Sequence, residues 1–291
     1  MTPARNEENS IRDTIESVVN QTVIPSKWAI VSDASTDRTD VIIKAYAERY
    51  DWIKYLRKSS RREKGFASKV ESFNMGLQSI ISEEYSFIGN LDADIAIDSD
   101  YFERVINAFI NNSKLGICGG RVFERRNNSL RNRKSSITSV AGAVQLFRKK
   151  CYEQIGGYLP LRYGGIDSAA EITARSKGWD VQTIADLQVI HNGPVTTGCD
   201  MVLKRKFRQG IIHYQLGYNP VFEIVRQFYR CTEYPFLLGS VSRLLGFGWA
   251  FINRLDYVLD GEVIKYFRKE QMQRLKDMLV LLKRTKTENF K

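Results

Sequence analysis

Helical and extended patterns alternate through the first half of the chain, and that alternation restricts the fold more than any other feature. Ile11, Ile15, Val18 and Val19 mark one face of a helix beginning near Glu8, and "KWAIVS" (Lys27 to Ser32) has the pattern of a strand. Asp37 to Tyr50 reads as a second helix with Val41, Ile42 and Ala45 on its inner face, followed by a short strand at "WIKYL". Phe66, Val70, Phe73, Leu77 and Ile81 keep helical spacing over four turns. A strand over Tyr85 to Leu91, a helix over Asp100 to Asn111 and a strand at "LGICGGRVF" continue the series. Such alternation predicts an α/β domain: a mixed, mainly parallel sheet flanked by helices on both faces. Ligands of such sheets bind beyond the carboxyl ends of the strands.

At 291 residues the chain is long enough for one large core plus an extension. Its four cysteines are widely separated, which predicts a reduced, cytoplasmic setting and no disulfide framework. The first residues are polar and charged, unlike a secretory signal. The most apolar run, Tyr234 to Ile252, carries Arg243 in its middle and does not read as a membrane span. The net charge of +11 gathers in "RVFERRNNSLRNRK" (Arg121 to Lys134) and from Lys204 onward. A field of this sign attracts phosphorylated ligands, anionic membranes or nucleic acid, and does not choose among them.

The stretch "YSFIGNLDADIAID" ends an apolar run in Asp92 and Asp94. If the chain stays extended there, residues i and i+2 share a side, and two carboxylates so placed repel unless a cation or protons intervene. Oxygen ligands of this kind suit Mg²⁺ or Mn²⁺ accompanied by substrate phosphates. Acidic pairs of this length also occur as solvated loop residues or helix caps.

Further stretches resolve that ambiguity. "TPARNEENSIRDTIESVVNQT", "VSDASTDRT", "SKVESFNMGL", "NLDADI" and "EQIGGY" follow one another in an order and spacing that resemble the inverting, family 2 glycosyltransferases of the GT-A fold, over roughly residues 1–200. The resemblance implies a GT-A catalytic domain, with a nucleotide-sugar half to about residue 95 and an acceptor half from 96 to 200, and a helical extension over 201–291. It implies that Asp33 hydrogen-bonds the nucleotide base and that Ala4, Arg5 and Glu7 line the opposite wall of the nucleoside pocket. Lys69 would help hold the diphosphate, although a lysine at that spacing is also an ordinary helix-surface residue. Asp94 would bind the metal directly, Asp92 would face the ribose or the metal through water, and His191 in "LQVIHNGP" would lie near the metal or diphosphate. Ser32 and Ala34 stand where the family commonly has an aspartate and a glycine, so the turn here must tolerate a Cβ.

Inverting transfer also needs a base for the acceptor hydroxyl. The resemblance assigns it to Asp167 in "RYGGIDSAAEITARSKGW", where Ile166 replaces the usual glutamate. Asp is also favoured as a helix N-cap. Glu171, four residues on, shares the helix face and is placed to orient or replace the base. The implied activity is a metal-dependent (Mg²⁺ or Mn²⁺) transfer of sugar from a UDP- or GDP-type nucleoside-diphosphate donor to a saccharide or lipid-linked acceptor, in cell-surface or exopolysaccharide synthesis.

After Pro194 the alternation stops. Phe236 to Ile252 is apolar on most sides, and Val263 to Leu282 has helical spacing with a basic opposite face. Two readings stay open: a helical subdomain packed on the catalytic core, or interfacial helices on an anionic membrane surface at the inner face of the cell membrane. The Arg121 to Lys134 stretch reads as a loop on the acceptor side. Met1 and Thr2 leave little room for a first strand, which predicts a stub or a truncated strand. Two other functions compete. A sugar-nucleotide-forming nucleotidyltransferase needs a Gly-rich phosphate loop, absent from "PARNEENS". A non-catalytic basic protein binding membrane or nucleic acid leaves the ordered acids unexplained, and no nucleic-acid partner is expected. No Q-x-x-R-W signature is present, which favours a single transfer over polymerisation.

Overall fold

The computed structural model describes residues 1–59, 66–80, 84–126, 129–132, 136–193 and 199–288. They form two compact units, Met1–Val195 and Thr196–Lys291.

Unit 1 carries the α/β pattern. Strands β1 (Thr2–Ala4), β2 (Trp28–Ser32) and β3 (Ile53–Arg57) pair in parallel, separated along the chain by helices α1 (Ile11–Val19) and α2 (Thr39–Arg49). Every residue of β2 is buried, as a strand covered on both faces requires. Helix α3 (Phe66–Gln78) leads to β4 (Phe87–Leu91), then β5 (Ile95–Ile97), helix α4 (Tyr101–Asn111) and the long strand β6 (Leu115–Arg126). Strand β7 (Ser129–Asn132) folds back on β6; β8 (Val144–Arg148), helices α5 (Lys149–Ile155) and α6 (Ile166–Ser176), and β9 (Asp180–His191) complete the unit. The second sheet runs in the order β4-β8-β6-β9-β5, and only its β6–β9 pairing is parallel. The mixed α/β fold is thus as the alternation predicts, with the parallel character concentrated in the first sheet. Helix–strand alternation reports crossovers but not the direction of later pairings.

Side chains on the two sheet faces form two cores. Ile11, Ile15, Ile43, Val105 and Phe109 pack with Trp28 and Ile30 on one side, whereas Val70, Phe73, Tyr152, Ile166 and Ala170 pack with Ala29 on the other. The alternating faces of β2 supply both.

Three local expectations change. Ile42 packs against the core beside the buried Ile43, while Val41 is 61% exposed and Ala45 also faces water. Arg121 to Lys134 is not a loop: its described residues belong to the β6–β7 hairpin, with 127–128 and 133–134 outside the described set. The first strand is short, as expected. Met1 continues it by donating to Gly89 O (2.6 Å) and accepting from Leu91 N–H (3.1 Å), which joins the two sheets. Beside it lies a cavity of about 610 Å³ lined by apolar groups that include Met1, Trp28, Leu77 and Ile88. Ile81, the last residue of the expected helical stripe, is outside the described residues.

Unit 2 is helical: α7 (Cys199–Gln215), α8 (Pro220–Tyr229), α9 (Leu238–Ile252) and α10 (Gly261–Glu288). Helices α7 and α9 cross closely because Gly210 and Gly246 leave no room for a Cβ against the opposing backbone. Arg243 is buried on this inner face, where its guanidinium donates to Gln227 and Gln209. Nearby, Glu223 accepts from Gln227 and pairs with His213, whose pKa burial lowers to about 4.

Candidate active site

The site lies beyond the carboxyl end of β4. The chain leaves that strand through a turn rather than in extended form, so the two aspartates do not share a side as an extended Asp92–Ala93–Asp94 would. Asp92 Oδ1 meets Lys69 Nζ at 2.6 Å and accepts from Asn90 Nδ2 at 2.9 Å. Asp94 instead faces β9. The antiparallel β5–β9 register sets Ile95 opposite His191, bringing His191 Nε2 to 3.2 Å from Asp94 Oδ2. The backbone closes the same junction, with Asn192 N–H donating to Asp94 O at 2.8 Å. Gly193 must be small here, since a Cβ would strike both the Asp94 carboxylate and the His191 ring. Burial raises the Asp94 pKa, opposed by His191 and reinforced by Asp92. His191 Nδ1 is buried and has no hydrogen-bond partner among the described residues.

Asp167 approaches from α6. It is the second residue of that helix; the cap position belongs to Gly165, in the left-handed region at φ 83°, so Asp167 is not the N-cap. Its Oδ2 accepts from Gly142 N–H (3.2 Å) and its Oδ1 from Ser168 N–H (2.9 Å). A Cβ on Gly142 would lie 2.9 Å from Asp167 Oδ2, so only glycine permits this approach. The other side of the same segment holds the aspartate turn: Asn90 Nδ2 donates to Gly142 O (2.7 Å) and Asp92 N–H to Ala143 O (2.8 Å). Gly142–Ala143 is therefore a backbone bridge between Asp92 and Asp167.

Glu171 lies one turn beyond Asp167 and is buried. Its Oε1 accepts from Val140 N–H (2.6 Å) and Gln145 Nε2 (3.3 Å), while Oε2 is 3.7 Å from Arg175. Burial, then the neighbouring Asp167 charge, push its pKa up to about 8, against the pull of Arg175. Tyr158 completes this layer by donating to Gln145 Oε1 (2.7 Å).

The nucleoside-side candidates gather at the ends of β1 and β2. Ala4 O accepts from Asp33 N–H, and Arg5 Nη1 donates to Asp33 O at 3.0 Å. The buried Asp33 carboxylate is held by Ser68 Oγ (2.6 Å) and Lys58 (3.0 Å). Ala34 has φ 52°, so the turn does tolerate a Cβ, in a conformation that glycine adopts more readily. Glu7 accepts from Ser10 Oγ at 2.7 Å; burial raises its pKa, with the charges of Asp94 and Asp92 adding to the effect.

Lys69, Asp92, Asp167 and His191 line one cavity of about 200 Å³, together with Asn90, Gly142, Gln145 and Tyr158. Ala4, Arg5, Glu7 and Asp33 do not line it, and Asp94 borders it through His191. The residues missed in sequence are Lys58, Ser68, Asn90, Gly142 and Gln145. Only Asn90 carried a signal, a polar residue inside an apolar strand two positions before Asp92. Among the described residues no three His, Cys, Asp or Glu converge as a closed metal site. The half-buried Asp94 carboxyl and the His191 Nε2 that faces it form a two-donor set, which suits a divalent ion completed by phosphate oxygens and water.

Known proteins share this chain's fold and part of its sequence. The chain is 25% identical over 170 residues to a poly-β-1,6-N-acetyl-D-glucosamine synthase of Staphylococcus epidermidis and 23% identical to the Staphylococcus aureus proteins of that name. The match spans 52% of this chain and 39% of those relatives. Among solved structures, a mannosyltransferase from Pyrobaculum calidifontis in complex with GDP-Man and Mn²⁺ superposes with a TM-score of 0.59 at 14% identity, covering 94% of this chain and 79% of that one. Staphylococcus aureus TarS 1–349 in complex with UDP-GlcNAc gives 0.51 at 14% identity, with coverage of 71% and 63%. At these identities the superpositions speak for the GT-A fold. The sequence model of glycosyl transferase family 2 matches residues 1–166, more than half of the chain, and the protein belongs to that family.

Proposed function

We propose that the protein is a metal-dependent inverting glycosyltransferase that moves a sugar from a nucleoside-diphosphate donor to a saccharide or lipid-linked acceptor at an anionic membrane surface. The observation that carries the reading is the convergence of Lys69, Asp92, Asp167 and His191 on one cavity, with Asp94 at its border. Supporting it, the structural relatives hold GDP-Man with Mn²⁺ and UDP-GlcNAc, and the matched curated relatives are polysaccharide synthases.

In this reading Asp33 accepts a hydrogen bond from the base, while Ala4, Arg5 and Glu7 border the nucleoside. Asp94 and His191 would hold Mn²⁺ or Mg²⁺, the imidazole favouring Mn²⁺, and Asp92 would contact the ribose or a metal-bound water. The ion, when bound, neutralises charge growing on the departing diphosphate. Lys69 shares that task once the donor draws it from Asp92. The acceptor hydroxyl attacks the anomeric carbon opposite the leaving group, its proton passes to Asp167, and the bond to the diphosphate breaks with inversion. The Gly142 N–H fixes Asp167 Oδ2, so the carboxylate is aimed before the acceptor arrives.

A thermal-shift series with UDP, GDP and their sugars, with and without Mn²⁺, tests this. A rise in midpoint with one diphosphate, present only with Mn²⁺, is the expected result. Equal responses to every nucleotide and to DNA would return the protein to the class of non-catalytic basic binders.

A further inference from the structure

We propose that the outward face of α9, with the segment leading into it, is a docking surface for an anionic lipid bilayer. This takes up the membrane-surface part of the functional reading and is independent of whether sugar transfer occurs. Leu238, Val241, Leu245, Trp249 and Ile252 are spaced three or four residues apart and are all exposed, so they form one apolar stripe. The opposite stripe, through Gly239, Arg243, Gly246 and Ala250, is buried. The segment before α9 adds exposed Phe228, Tyr229, Tyr234, Phe236 and Leu237, the last at φ 56°, where side chains other than glycine are uncommon. Among the described residues, 17 of the 24 exposed large apolar side chains belong to unit 2, although it is only a third of the chain. That concentration exceeds what isolated surface apolar residues explain.

Chemistry selects the occupant. Thr196 to Lys291 contains 17 Lys and Arg against nine Asp and Glu, so this unit holds +8 of the total +11. Two copies meeting through the stripe would bring two strongly positive units together, whereas anionic headgroups neutralise them at about 1 kcal/mol per nearby Lys or Arg. Exposed Lys204 and Arg205 on the helix packed against α9, and Arg254 just past its end, supply such charges. Trp249, Tyr229 and Tyr234 combine an apolar ring with a polar edge, as residues at a headgroup boundary do. Insertion across the bilayer is not implied: no helix among the described residues is long and apolar enough, and Arg243 is committed to Gln227 and Gln209 on the inner side. The helix lies along the surface.

The test is sedimentation of the full chain, without donor, with vesicles of phosphatidylcholine alone or mixed with phosphatidylglycerol. The expected result is binding to the mixed vesicles, weakened by salt, and lost by about tenfold or more in L245E, whose site is exposed and whose melting curve should match the parent. W249F should retain binding and lack the vesicle-induced blue shift of Trp emission. Absence from both pellets, equal binding by L245E, or a dimer in solution that L245E dissociates would each overturn the proposal, the last by assigning the stripe to a second copy. Because no nucleotide is present, failure here leaves the thermal-shift outcome untouched.

Discussion

At the end of β4, Asp92 and Asp94 meet the nitrogens of Lys69 and His191, whereas on α6 Asp167 and Glu171 meet backbone N–H groups of the 140–142 segment. Both are acidic pairs in one unit, but their surroundings differ. The first pair is matched to a lysine ammonium and an imidazole, as the proposed diphosphate and cation site requires. The second is held mainly by neutral N–H donors, with Arg175 3.7 Å from Glu171; burial raises Asp94 in the first pair and Glu171 in the second, and takes Glu171 up to about 8. Environment rather than residue type therefore distinguishes the two pairs, and the proposed function gives the first the charge of the donor and the second the proton of the acceptor.

Asparagine substitutions break the comparison most directly. D167N should lower transfer by about 10²–10⁴-fold while Mn²⁺-dependent binding of the diphosphate is unchanged, read by single-turnover assay and by calorimetry. D94N should show the reverse signature, with diphosphate affinity in Mn²⁺ falling on the order of 100-fold. If D167N transferred sugar near the parent rate, Asp167 would not be the base and the two pairs would lose their distinct roles.

Glu171 offers a sharper and smaller test. Its folded pKa of about 8 lies above the usual 4.5, so the folded state binds the extra proton between those values. Stability from this group is therefore unaffected below about pH 4.5 and falls as pH rises toward 8. E171Q keeps an acceptor for Val140 N–H and removes the titration. Its unfolding free energy should rise relative to that of the parent across that window, by an amount on the order of a few kcal/mol, in denaturant melts at several pH values. A flat difference would mean that Glu171 stays charged in the fold.

The smallest effect concerns the nucleoside side. Ala34 sits at φ 52°, so A34G should relieve left-handed strain, partly offset by a freer unfolded chain, for a net gain below about 1 kcal/mol in thermal melts.

Much of this was legible in the sequence. Asp92, Asp167 and Lys69 stand out because a D-x-D at a strand end, an acid opening a helix and a lysine at a set distance from the neighbouring motifs are local patterns, and the structure gathers those three around one cavity with His191. What stayed hidden were residues whose importance comes from neighbours distant in sequence. Lys58 is unremarkable until Asp33 and Glu71 lie beside it, and Gly142 resembles any loop glycine until the Asp167 carboxylate occupies the space of its Cβ. Val41 misled for a related reason: its helical spacing was right, but which side of α2 faced the sheet was set by packing around Ile43.

The sequence by itself determined the α/β order of elements, the family and the acids available, because periodicity, turn chemistry and motif spacing are properties of neighbouring residues. Only the tertiary structure decided that Asp94 turns to His191 while Asp92 turns to Lys69, and that one backbone segment links Asp92 to Asp167. Those outcomes depend on the β5–β9 register and the approach of α6 to residue 142. Contacts between residues 23 to 97 positions apart follow from packing in three dimensions, which no local pattern encodes.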